Sequence, residues 1–215
     1  MNQYDPNIHH RRSIRLKGYD YAQEGLYFIT MCVQHRVSLF GHIAKPQNNA
    51  DAQMTLNEAG KMIETEWLNL KNRYPNIELH EFVIMPNHFH GILEIVAVGE
   101  TVGETLVVAQ NSAAQNSAAA QNSDEKGQPQ GIAPTIAPTG ASTVGDMMGA
   151  FKSITTVEYI RGVKNLGWQT FNGKLWQRDY YEHIIRDERA YENISNYIIN
   201  NPTKWAADTF YGQAI

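Results

Sequence analysis

The sequence predicts an α+β fold of ferredoxin-like βαββαβ order, an antiparallel sheet backed by helices with one extra C-terminal helix. Three observations predict it. Four runs are rich in β-branched and aromatic residues, segments of helical spacing fall between and after them, and Pro86-Asn87 joins the middle two runs as a hairpin. In that topology the first and third strands are central, so third-strand side chains project from the middle of the sheet.

The first strand is LYFITMCVQHR, Leu26 to Arg36. A helix follows over TLNEAGKMIETEWLNLKNR, Thr55 to Arg73, where Leu56, Met62, Ile63, Trp67 and Leu70 recur near helical spacing and Pro75 stands just past the end. IELHEFVIM and HFHGILEIV are the hairpin strands. The second helix is expected over STVGDMMGAFKSITTVEYIRGV, with Met147, Met148, Phe151, Ile154, Val157 and Ile160 on its apolar side. LWQRDYYEHIIR reads as the fourth strand. Asp187 then opens a last helix, DERAYENISNYIIN, which must stop at Pro202 because proline has no amide hydrogen to continue the ladder.

Between about Gly99 and Ser142 the composition shifts to an imperfect AQNS repeat with Ala, Gln, Pro and Gly and no aromatic residue. Such a stretch cannot bury enough surface to offset the entropy of ordering it, so it reads as a flexible insertion. The expected layout is a basic N-terminal arm at 1–18, a folded domain at 19–205 carrying the insertion, and a tail at 206–215. With 215 residues, 42% apolar and 19% charged, the chain fits one domain rather than two full-sized units. Its single cysteine, Cys32, excludes an intramolecular disulfide and suits a reducing, cytoplasmic setting. No stretch approaches the roughly 18 uninterrupted apolar residues of a membrane span, so no membrane partner is expected. A net charge of −4 argues against a globally basic nucleic-acid binder, and any polyanion site must be a local patch.

His88 and His90 are two apart on the third strand, which sends both imidazoles to one face and Phe89 to the other. Two neutral imidazoles side by side are half of a divalent metal site; the plainer alternative is a pair of polar residues on the solvent side of a half-buried strand. Tyr197 and Asn201, four apart, share one face of the last helix. An amide oxygen from Asn201 makes a His, His, Asn set, and with water in the remaining positions such a set suits Mg²⁺ or Mn²⁺ better than a structural zinc. The competing roles are a Tyr197 ring packed on the sheet and a capping function for Asn201.

The segment VIMPNHFHGILEI resembles the HUH motif of the single-tyrosine transposases, in which a hydrophobic residue lies between two histidines on the central strand. LWQRDYYEHIIRDERAYENISNYIINNPTKW is similar to the C-terminal part of the REP-associated tyrosine transposases, a bacterial branch of that group. The resemblance covers roughly 19–98 and 143–205. It implies an HUH transposase domain: a single-stranded DNA endonuclease and strand transferase that cuts at hairpin-forming repeats through a covalent 5′-phosphotyrosine, with Mg²⁺ or Mn²⁺ as cofactor. By position it makes His88, His90 and Asn201 metal ligands and Tyr197, on the extra helix, the nucleophile. Members of that family carry Asn or Gln four residues after the tyrosine, and Asn201 meets this; Asn200 would point about 100° away on a continuing helix. Tyr191 is a weaker nucleophile candidate because Ser195, not an amide, stands four residues on. The insertion departs from the family pattern, since the family joins the third strand to the next helix more briefly.

Candidate DNA contacts are Arg11, Arg12, Arg15 and Lys17 in the arm, with Lys152, Arg178 and Arg186 nearer the last helix. Trp176, Tyr180 and Trp205 are candidates to stack on unpaired bases, with core packing as the competing role. The partner implied is single-stranded or hairpin DNA, bound by a monomer or homodimer in the bacterial cytoplasm, nucleoid-associated when on DNA. Two other classes compete: a non-cleaving DNA-hairpin-binding protein on the same fold, and a phosphoesterase that activates water. Ile92 at the third position argues against an H-x-H-x-H nucleotide hydrolase.

Overall fold

The computed structural model describes residues 18–44, 51–97 and 142–211. Arg11, Arg12, Arg15 and Lys17, and the 99–142 insertion apart from Ser142, lie outside the described residues. In chain order the elements are β1 (Gly25–Cys32), β2 (Gly41–Ala44), β3 (Gln53–Leu56), α1 (Glu58–Leu68), α2 (Leu70–Arg73), β4 (Ile77–Met85), β5 (His88–Ile95), α3 (Val144–Leu166), β6 (Tyr181–Ile185) and α4 (Glu188–Ile199). The main sheet runs β4-β5-β1-β6, antiparallel throughout, which places the first and third of its strands at the centre as the βαββαβ order requires. Among the described residues no helix is long and apolar enough to cross a membrane.

The sheet has two unequal faces. Tyr27, Ile29 and Met31 of β1 and Phe89, Leu93 and Ile95 of β5 alternate onto one face, where Ile63 and Trp67 of α1 and Met147, Met148 and Phe151 of α3 cover them. Gly91 fits the same side because a Cβ there would stand 2.8 Å from the Trp67 ring and 2.7 Å from that of Phe89. The opposite face carries a smaller cluster, Phe28, Ile92, Ile185 and Ile198, beneath α4. Asp187 caps α4 by accepting from Ala190 N, and Thr143 with Asp146 forms a reciprocal capping box at α3.

Four expectations need correction. The helix read from Thr55 begins only at Glu58, because Thr55 and Leu56 pair in a β2–β3 hairpin and the Asn57 side chain caps Gly60 N; it also breaks at Asn69 before α2. The first strand ends at Cys32, followed by a 3₁₀ turn in which His35 and Arg36 are left-handed, with φ of 60° and 58°. The fourth strand is only Tyr181–Ile185. Upstream, Gln34 N donates to Leu175 O and Gln177 N to Cys32 O, so Trp176 makes only an isolated antiparallel bridge to Val33, just past β1, and the strand does not extend back through it. Past Phe151 the buried stripe of α3 is Thr155, Tyr159 and Gly162, not Ile154, Val157 and Ile160. Thr155 is satisfied there, donating to Phe151 O at 2.7 Å and accepting from Trp176 Nε1 at 2.9 Å, and Gly162 leaves room for the Trp168 ring.

Candidate active site

β5 is paired on both edges, so its α4-facing residues His88, His90, Ile92 and Glu94 lie in the middle of the sheet. His88 and His90 are 0% and 1% exposed, which removes the reading of two solvent-side polar residues. Their rings lie 4.6 Å apart, centroid to centroid. α4 brings Tyr197 over this pair: its hydroxyl is 3.2 Å from His90 Nε2, and its ring stands edge-on to Phe28 at 6.1 Å. One turn on, Asn201 is 1% exposed, and its Oδ1 and His88 Nε2 are both buried without a hydrogen-bond partner. Asn201 is nevertheless close enough to His88 to favour its charged form and to Tyr197 to favour the phenolate, so the four side chains converge.

Each imidazole is held from behind. Thr30, paired with His90 in the β1–β5 register, sets Oγ1 2.7 Å from His90 Nδ1. Asn87 sets Oδ1 2.9 Å from His88 Nδ1. Burial pushes both histidines down to about 3, with the neighbouring His88 adding to the effect on His90, so both rings are neutral at physiological pH and have nitrogen lone pairs to offer. Burial and Asp208 push Tyr197 above the usual phenol range, partly offset by Asn201. The 39% exposure of the residue leaves its hydroxyl reachable from solvent.

Two lone nitrogen pairs and an amide oxygen, two of them unpartnered in a buried setting, fit a divalent cation with incomplete protein ligation. Among the described residues no group of three or more His, Cys, Asp or Glu makes a metal cluster, so Asn201 is needed for a third protein ligand.

Asn200 is exposed and spends its amide on Asn196 O at 2.7 Å, away from the histidines. Tyr191 is remote from them too, donating to Glu81 Oε2 at 2.9 Å. Lys152 gives its ammonium to the carbonyls of Gln177 and Arg178 at 2.7 and 3.0 Å and so ties α3 to the segment leading into β6. Arg178 and Arg186 are exposed. Trp176 is core, packed on Phe40 and Phe151. Tyr180 is half-buried, its hydroxyl donating to Glu182 at 2.6 Å. Trp205 lies against His88 at 5.8 Å, and Phe210, within the segment expected to be a tail, packs on the same ring at 4.7 Å.

Sequence reading missed Thr30, Asn87 and Phe210. Strand pairing opposite the H-x-H run gives a signal for Thr30, whereas Asn87 reads as a turn residue and nothing local marks Phe210.

No family model matches the chain. It is 39% identical over 212 residues to an uncharacterized protein of Haemophilus influenzae, covering 97% of each chain. Among solved structures it is similar to a REP-associated tyrosine transposase bound to a REP hairpin, with 16% identity, a TM-score of 0.46, and coverage of 90% of this chain and 74% of that one.

Proposed function

The chain belongs to the same family as the Haemophilus influenzae protein, and for this member we propose a metal-dependent DNA endonuclease and strand transferase that acts on single-stranded, hairpin-forming DNA through Tyr197. The observation that carries the reading is the Tyr197 hydroxyl at 3.2 Å from His90 Nε2, beside the unpartnered His88 Nε2 and Asn201 Oδ1. These groups come from two segments more than a hundred residues apart, and the resemblance of both segments to the single-tyrosine transposases supports the same assignment.

His88, His90 and Asn201 would hold the cation, Mg²⁺ or Mn²⁺. When bound, it supplies charge neutralisation at the non-bridging phosphate oxygens and lowers the cost of ionising the phenol. With His90 holding a cation, the Tyr197 hydroxyl 3.2 Å from Nε2 would no longer bond there, and its oxygen would be free to act. That oxygen attacks phosphorus in line. A phosphorus–Tyr197 ester forms, the bond from phosphorus to the 3′-oxygen breaks, the phenol proton passes to water, and the leaving 3′-oxygen takes a proton from water. The ester retains the energy of the broken bond, so a second 3′-hydroxyl can reverse the step on a new strand. Thr30 and Asn87 keep the imidazoles oriented meanwhile. Exposed Arg178 and Arg186 are available to DNA phosphates.

The test is incubation of the protein with an end-labelled hairpin oligonucleotide and Mn²⁺, followed by a denaturing protein gel. A labelled adduct in wild type and none in Tyr197→Phe is the expected result. Cleavage without an adduct turns the reading to a water-using phosphoesterase, and tight binding without cleavage turns it to a hairpin-binding protein.

A further inference from the structure

We propose that Asn87 is the positioning residue that fixes His88 as its Nδ1–H tautomer and so leaves Nε2 as its ligating atom, with the C-terminal segment at Phe210 acting as part of that clamp. The inference rests on the metal reading above but is read without DNA. Asn87 is 0% exposed. Its amide nitrogen stands 3.0 Å from Arg36 O and 2.9 Å from Phe210 O, two carbonyls that only accept. The nitrogen must therefore be the atom facing them, and Oδ1 faces His88. An amide oxygen cannot donate, so at 2.9 Å His88 Nδ1 must carry the hydrogen, and the lone pair falls on Nε2. That is the same buried nitrogen that has no partner in the protein.

The clamp is assembled from three distant stretches of chain. Arg36, held left-handed at φ 58°, offers its carbonyl to Asn87, its guanidinium to Thr209 O at 2.7 Å and its charge to the Phe210 ring at 5.4 Å. Such a backbone state in a non-glycine residue persists where the surroundings hold it. The Asn87 backbone carbonyl accepts from Val33 N at 2.8 Å, so the turn before β5 is anchored to the end of β1. Phe210 then lies on both imidazoles, 4.7 Å from His88 and 5.9 Å from His90.

The experiment is nitrogen-15 NMR of the histidine rings in metal-free protein, paired with a Mn²⁺ titration, for wild type, Asn87→Ala and Asn87→Asp. Wild type is expected to show His88 protonated at Nδ1. Asn87→Ala loses the acceptor, and its His88 should shift toward Nε2–H while Mn²⁺ binds about 10- to 100-fold more weakly. Asn87→Asp keeps an acceptor for Nδ1–H but loses both donations, so it should retain the tautomer and bind Mn²⁺ more tightly than Asn87→Ala. A wild-type His88 protonated at Nε2 overturns the proposal, as does an Asn87→Ala protein with wild-type tautomer and Mn²⁺ affinity. If Asn87→Ala does not fold, Asn87→Asp decides, and His88 at Nε2–H in that variant is equally fatal. A protein that behaves as expected here yet forms no DNA adduct overturns only the tyrosine chemistry.

Discussion

α4 sets two tyrosines against two histidines of the same sheet face, and the two ends differ in how much bonding capacity is left over. At the N-terminal end Tyr191 meets His80, which is bonded at both ring nitrogens: Nδ1 is 3.1 Å from the Tyr191 hydroxyl and Nε2 is 2.9 Å from Glu94. Tyr191 and Ser195 both donate to Glu81, at 2.9 and 3.2 Å. A bulge between Leu79 and Phe82 makes this possible by setting two residues, His80 and Glu81, against one on β5, so both reach the helix. At the other end, six residues and about 9 Å along the helix, Tyr197 meets His90 while His88 Nε2 and Asn201 Oδ1 remain unpaired. Proximity of a tyrosine to a histidine is thus common to both ends. Unspent lone pairs in a buried setting distinguish the end that can take a ligand from the end that is locked.

The sharpest way to break this comparison is to exchange the roles of the tyrosines. Tyr197→Phe should eliminate the covalent DNA adduct and Tyr191→Phe should leave it near wild-type yield, both read on denaturing gels; an adduct that follows Tyr191 inverts the assignment. Next in size are His88→Ala and His90→Ala. Each should reduce Mn²⁺-stimulated adduct formation at least 100-fold, the scale of losing several kcal/mol of charge stabilisation. His80→Ala should change it little, and equal losses in all three would show that the fold, not the site, had been damaged.

A smaller effect separates the locked end as a stability element. Burial favours the protonated form of Glu81, but its own backbone, Tyr191, Ser195 and His80 together outweigh this and hold the carboxyl below the usual range. A depressed folded value means that the contribution is present above the unfolded carboxylate pKa of about 4.3 and is lost as pH falls through the lower folded value. Tyr191→Phe should therefore cost about 1 kcal/mol in urea unfolding at pH 7, and less at pH 3. A cost that does not change with pH would remove Glu81 from the account.

The smallest expected effect is at Cys32, opposite His88 in the β1–β5 register. Burial pushes this thiol up to about 11, despite Arg36 nearby. Alkylation of the folded protein at pH 8 should accordingly be far slower than that of the unfolded chain, in which a thiol titrates near 8.5. Rapid modification would mean that the floor of the site opens readily.

Much of this was legible in the chain because it is encoded by local period. Alternation places His88 and His90 on one face and Phe89 on the other, the expected β4 matches its observed span and β5 differs by one residue, whereas Asn201, expected in the last turn of α4 with Tyr197, lies two residues past the end of that helix and still approaches His88. The errors fell where long-range hydrogen bonds outvote local preference. Leu175–Tyr180 has the residue types of a strand, yet it makes only an isolated antiparallel bridge, Trp176 to Val33, and gives the Gln177 and Arg178 carbonyls to Lys152. The β2–β3 pair carries little local signal because its strands are four residues each and pair only with one another.

By itself, then, the sequence determined the βαββαβ-plus-helix order, the face of each candidate ligand and the family resemblance, since each depends on residue types at short, regular separations. Tertiary structure decided the rest: that the two histidines are buried, that His88 Nε2 and Asn201 Oδ1 are left unpartnered, and that Asn87 and Phe210 lie against His88. The reason is physical. Whether a polar atom has spent its hydrogen bonds depends on every chain segment that comes within about 3 Å of it, and no separation along the sequence records those neighbours.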